Sequence, residues 1–225
     1  MRMASVIVFV SFAVTVISSK PQHVPQQPDY NALSTIGGGD VSPMIPVRGW
    51  NSWDPYKQSL NESTALRIAE NMARLLLPHG YNILVIDGGW SDAYNHDTCP
   101  TGTLSNPLEP CIDSNGRMQP NVHKWPSSRG GKGLKPFIDK VHKMGLKVGM
   151  HTLQSTISKA ALAVKSPVLG APAGTTVNDI VGKRCSWQKW GYGVDLKQPA
   201  GQQWLDSVYA QFADWGLDFI KYANE

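Results

Sequence analysis

At 225 residues, with 41% hydrophobic and 17% charged residues, the chain has the make-up of one ordinary globular domain. The net charge of +4 is modest and spread along the chain. No Lys/Arg run is dense enough for a nucleic-acid or anionic-membrane partner.

The N-terminus carries an address. Arg2 gives a positive start, residues 6–17 are mostly apolar, and Val16-Ile17-Ser18-Ser19 offers small residues for cleavage, which is the pattern of a secretory signal peptide over residues 1–19. The apolar run is well short of the roughly 18 residues of a membrane-spanning helix. The reading is therefore a secreted, extracellular and soluble protein without a membrane partner. Residues 20–46 hold five prolines and Gly37-Gly38-Gly39, a linker or processed segment rather than a packed element.

A first short strand is expected at Val47-Arg48-Gly49-Trp50-Asn51, leading into Ser52-Trp53-Asp54. Asn61-Glu62-Ser63 is an N-glycosylation acceptor in an exported chain. It also reads as a helix start, with Asn61 as a cap and Ser59 and Glu62 at capping-box spacing. Ala65, Ile68, Ala69, Met72, Leu75 and Leu76 then share one helical face. Pro78 and Gly80 stop the helix, and a continuous apolar run, residues 81–86, ends in Asp87. Continuous hydrophobicity marks a strand covered on both faces, as in parallel sheets.

The same order then repeats. Leu134, Phe137, Ile138, Val141 and Met144 form a stripe, Gly145 ends it, and residues 146–151 read as a strand ending in His151. Trp204, Leu205, Val208, Tyr209 and Phe212 form another, Gly216 ends it, and residues 217–222 read as a strand carrying Lys221. A weaker helix with Ile157, Ala160, Ala161 and Val164 follows the third strand. The glycines suit the left-handed position past a helix end. The fold class is α/β with repeated β/α units, either a barrel or a doubly wound sheet. About four strands are legible where a closed (β/α)8 TIM barrel has eight, so half a domain is expected.

The insert over residues 91–133 lies beyond the second strand, where long loops are usually functional or disordered. Cys99 and Cys111 share it and are expected to pair, closing a loop worth about 3 kcal/mol. Cys185 is left over, as a buried thiol or one whose partner is absent. Three scattered Cys lack the spacing of a zinc set, and no metal or cofactor is expected.

Trp53, Asp87, His151 and Lys221 are the polar and aromatic groups at strand ends. Each has a structural alternative: Asp87 as a turn cap, His151 as a satisfied core residue, Lys221 as a solvated strand end. Together they fall at one end of the sheet. Trp50, Trp53 and Trp90 add aromatic faces, which suit sugar rings but are also common in cores.

Gly49-Trp50-Asn51-Ser52-Trp53, Ile86-Asp87-Gly88-Gly89-Trp90, Gly145-Leu146-Lys147-Val148-Gly149-Met150-His151 and Trp215-Gly216-Leu217-Asp218-Phe219-Ile220-Lys221-Tyr222 occur in order. With Trp125-Pro126 and Gly130-Gly131-Lys132-Gly133-Leu134, they resemble the N-terminal half of glycoside hydrolase family 27, the α-galactosidase (melibiase) family. The resemblance covers residues 47–225 and implies a (β/α)8 barrel that hydrolyses terminal α-galactosides with retention. It implies that Trp53 stacks on the sugar, Asp87 binds its hydroxyls, His151 takes a pocket position usually held by an aromatic residue, and Lys221 bonds the sugar near the nucleophile. Cys185 resembles a family Cys that pairs just past the nucleophile.

Three departures qualify that expectation. Gly88 stands where the family has a second sugar-contacting Asp. Ala223 stands where the Lys-aromatic-Asp motif has its nucleophile, and Glu225 is displaced from it by about 6.6 Å of strand. The general acid belongs to a later strand. The expectation is a catalytically incompetent N-terminal fragment of an α-galactosidase-like enzyme. The rivals are a carbohydrate-binding relative that does not hydrolyse and an unrelated nucleotide-binding α/β protein.

Overall fold

The computed structural model describes residues 15–16, 47–92, 110–153, 157–186 and 190–223. Its strands are β1 (Thr15–Val16), β2 (Gly49–Asn51), β3 (Ile83–Ile86), β4 (Cys111–Ile112), β5 (Met118–Gln119), β6 (Lys147–Leu153), β7 (Ile157–Ser158), β8 (Val181–Arg184), β9 (Gly191–Val194) and β10 (Phe219–Ala223). Its helices are α1 (Trp53–Tyr56), α2 (Glu62–Leu75), α3 (Lys135–Lys143), α4 (Lys159–Ala163) and α5 (Pro199–Asp214).

The main sheet has the order β1-β10-β6-β3-β2, and β2, β3, β6 and β10 are mutually parallel. These four neighbours follow chain order without reversal. A doubly wound sheet reverses its order at a switch point, and none occurs among them. β1 lies antiparallel on the outer edge of β10.

The pleat divides the strand residues between two faces. Leu84, Ile86, Val148, Met150 and Ile220 pack against Ala65, Ala69 and Met72 of α2, Phe137, Ile138 and Val141 of α3, and Phe212 of α5. The alternate residues Ile83, Val85 and Phe219 form a small cluster with Val47 on the opposite face, called inner below. The helix–glycine–strand joints form as expected: Gly80, Gly145 and Gly216 take φ of 82°, 82° and 87°.

Several expectations need correcting. Leu75 and Leu76 are exposed, because α2 ends at Leu75 and its buried face stops at Met72. Ile157 belongs to β7, not to a helix, and β7, β9 and β8 form a separate antiparallel sheet. The insert after β3 contains the hairpin β4–β5. Ser59 makes no capping box with Glu62, since its hydroxyl donates to the Tyr56 carbonyl. Asn61 is the cap: its Oδ1 accepts the Thr64 N–H at 3.0 Å. Glu62 is buried and accepts from the Ser127 N–H and from Lys140. Asn61→Ala should therefore lower stability by about 1 kcal/mol in a urea melt, with Asn61→Gly losing only a few tenths.

Candidate active site

Strand register alone assembles the site. Ile86 pairs with Met150, so Asp87 arrives level with His151, and His151 pairs with Lys221. These residues share the alternation of Ile83, Val85 and Phe219, which places them on the inner face at the carboxyl ends of three adjacent strands. Ligands of parallel α/β folds sit at that end.

Asp87 is the hub. Its side chain is 4% exposed, and its Oδ2 lies 2.6 Å from the Lys221 Nζ. Its Oδ1 accepts the Gly88 N–H at 2.8 Å. The Asp87 N–H donates to the Ser52 hydroxyl at 2.9 Å, tying this strand end to the end of β2. His151 Nδ1 stands 3.7 Å from Oδ1, a charge contact beyond hydrogen-bond length. Burial pushes the Asp87 carboxyl up, but the Lys221 hydrogen bond, the His151 charge, the Gly88 N–H and the Asn51 side chain together hold it below the usual carboxylate range. Asp87 is ionised at neutral pH.

Burial, aided by the Lys221 charge and opposed by Asp87, lowers the His151 pKa from its ordinary 6.5. The unfolded chain thus binds the proton more readily than the folded one. The His151 contribution to stability is present above pH 6.5 and is lost as pH falls toward the folded value. Thermal melts across that window should show this loss, and His151→Gln should remove it.

Trp53 sits in the first turn of α1, not at a strand end, and is 39% exposed. Its N–H donates to Asn51 Oδ1 at 2.8 Å. A Cβ built on Gly88 would lie 3.4 Å from the edge of its ring, so the indole borders the Asp87 turn. Lys57 Nζ stands 5.4 Å from the ring centroid.

The other two tryptophans near these strand ends, Trp90 and Trp50, pack in or against the core. Trp90 is buried edge-on to Phe212 and Trp215, and its indole N–H donates to the His151 carbonyl at 3.2 Å. Trp50 packs against Tyr56. Ala223 occupies the rung opposite Leu153, two residues beyond Lys221. Glu225 lies outside the described residues, as does Cys99, the expected partner of buried Cys111.

Asn51, Ser52 and Lys124 also hold this site, and sequence patterning did not single them out. Asn51 and Ser52 are the polar residues at the end of β2, a position that could have flagged them. Lys124 gave no signal. Among the described residues no three His, Cys, Asp or Glu side chains converge on a place for a metal ion.

No family model matches the chain. An alpha-galactosidase of Cyamopsis tetragonoloba is 26% identical over 193 residues, 85% of this chain and 32% of that one. Among solved structures, a protein of Bacillus halodurans C-125 provisionally assigned as an alpha-N-acetylgalactosaminidase is 35% identical, with TM-score 0.73, covering 81% of this chain and 41% of that one. A family-27 β-L-arabinopyranosidase of Geobacillus stearothermophilus, solved as an Asp→Ala variant with arabinose, is 37% identical, with TM-score 0.69, covering 80% and 40%. The chain thus spans 28–38% of four curated relatives and about two-fifths of these solved ones. Over about four-fifths of its length the chain is thus similar to the α-galactosidases and to glycoside hydrolase family 27.

Proposed function

We propose that the chain forms four β/α units of an α-galactosidase-type barrel, and that its inner-face cluster holds a terminal galactose-like pyranose without cleaving it. The carrying observation is the Asp87–Lys221 pair at 2.6 Å, flanked by His151 and Asn51, at the carboxyl ends of the strands. An ionised carboxylate only accepts hydrogen bonds and an ammonium only donates them. Side by side, they complement neighbouring sugar hydroxyls, which do both. The exposed Trp53 indole offers its ring to the apolar face of a pyranose.

Cleavage with retention needs two carboxylates about 5–5.5 Å apart, one attacking the anomeric carbon and one protonating the leaving group. β2, β3, β6 and β10 contain no Asp or Glu. The carboxylate that follows β3, Asp87, is engaged by Lys221, and the family's nucleophile position is Ala223. The Geobacillus relative, solved as an Asp→Ala variant, is in complex with arabinose, which brings that sugar into consideration beside galactose. Arabinopyranose has the ring hydroxyl pattern of galactose without the hydroxymethyl group, and with Gly88 replacing a sugar-contacting Asp, both sugars belong in the test.

The proposal includes export, with residues 1–19 as leader and 20–46 as linker, a Cys99–Cys111 bridge, a glycan on Asn61, and no nucleic-acid or membrane partner. Calorimetric titration of the 225-residue chain with galactose and with L-arabinose should show saturable binding of at least one. Trp53→Ala should weaken it by about 1 kcal/mol, roughly fivefold. No binding of either sugar would overturn the reading.

A further inference from the structure

Lys124 is a buried charge, 9% exposed, outside the inner-face cluster. An ammonium taken out of water needs partners, and among those of Lys124 are two backbone turns. Its Nζ donates to the Gln58 carbonyl at 2.5 Å and to the Gly89 carbonyl at 2.7 Å. Gln58 lies two residues past α1, which opens with Trp53. Gly89 lies two residues past Asp87. The cation therefore bolts the turn that carries the indole to the turn that carries the carboxylate.

The two turns touch. Gly89 has φ +87°, and a Cβ there would meet the Gln58 Cα and carbonyl oxygen at 2.7 Å. Two carbonyls brought together in this way repel each other, and a shared ammonium reverses that interaction. Lys124 is itself held: Asn121 Oδ1 accepts the N–H groups of His123 and Lys124, and Asn121 Nδ2 donates to the Asp92 carbonyl at 2.6 Å. The Asn121 N–H donates to the Trp90 carbonyl, returning the loop to the end of the Asp87 turn. Burial raises the Asp92 pKa above its ordinary value, and the Lys124 charge opposes that rise.

We infer that Lys124 is a positioning residue that sets the separation of Trp53 from Asp87 and hence the width of the sugar slot. The inference rests on the sugar-binding reading for its ligand. The placement of Trp53 can be measured without any sugar.

The test uses the full chain labelled with 5-fluorotryptophan, the Trp53 fluorine resonance being assigned by its absence in Trp53→Phe. Lys124→Gln should shift or broaden that resonance in folded protein. It should also weaken galactose or L-arabinose binding by up to about fivefold, no more than the loss of Trp53 itself and within the range of couplings between residues sharing a network. In a Trp53→Ala background, Lys124→Gln should cause no further loss. A Trp53 resonance left in place, or an equal loss of affinity in both backgrounds, would show a merely structural lysine and overturn the inference. If the wild-type chain binds neither sugar, the sugar-binding reading fails and the fluorine signal alone decides the placement. If Lys124→Gln does not fold, Lys124→Arg keeps the charge with a longer reach. A displaced Trp53 signal is then expected, and an unmoved one counts against the inference.

Discussion

Lys221→Met should destabilise the protein by about 2–3 kcal/mol at pH 7 and abolish sugar binding. The substitution leaves the Asp87 carboxylate, 4% exposed, without its cation. Breaking a buried ion pair by removing one partner costs about 3–5 kcal/mol. The lower figure applies because the Lys221 side chain is 39% exposed and water can reach the gap. The sign with pH separates this mechanism from lost packing. Asp87 is held below its ordinary pKa in the fold, so its stabilisation is present above about pH 4 and is lost as pH falls through the folded value. In Lys221→Met burial dominates and the Asp87 pKa rises. The deficit relative to wild type should shrink in acid, as Asp87 takes up its proton first in the variant and then in wild type. Urea melts at pH 7 and pH 3 measure it, and an equal deficit at both would count against a charge-based role.

Gly133→Ala should lower stability by about 2–5 kcal/mol, and the reason is shape. Gly133 takes φ +58°, and a Cβ there would fall on the indole of Trp215. A non-glycine residue in that backbone region costs about 1–3 kcal/mol, and overpacking a core adds a similar amount. Trp215 is buried against Phe212 and Trp90, and Trp90 holds the His151 carbonyl, so the disturbance reaches the site. Gly130→Ala is the internal comparison. It has φ +76° but nothing within 4 Å of its Cβ position, so it bears strain without the collision. Thermal melts should show a loss of about 10 °C for Gly133→Ala, with Gly130→Ala well short of it.

The β/α repeats were legible because they rest on local rules: apolar spacing along α2, α3 and α5, left-handed glycines after them, and the continuous run before Asp87. The inner-face cluster was legible for the same reason, since residues that end successive parallel strands arrive at one level. Facing was harder to read. Trp50, Trp53 and Trp90 look alike in sequence, yet only Trp53 borders the Asp87 turn and stays exposed, because the indole of Trp90 is drawn into the Phe212–Trp215 cluster. The strands β4, β5 and β7 have two residues each, too short for any periodicity. Lys124 could not be found from patterning, because the carbonyls its Nζ bonds lie 66 and 35 residues away and carbonyls leave no mark in sequence.

On the proposed reading, the inner-face cluster is a sugar site from which hydrolysis has been lost. Turnover of an aryl α-galactoside and an aryl β-L-arabinopyranoside by the purified 225-residue chain tests it most directly. The prediction is no release of the aryl group above the buffer rate, from protein that binds galactose or L-arabinose. Robust turnover of either substrate would contradict it.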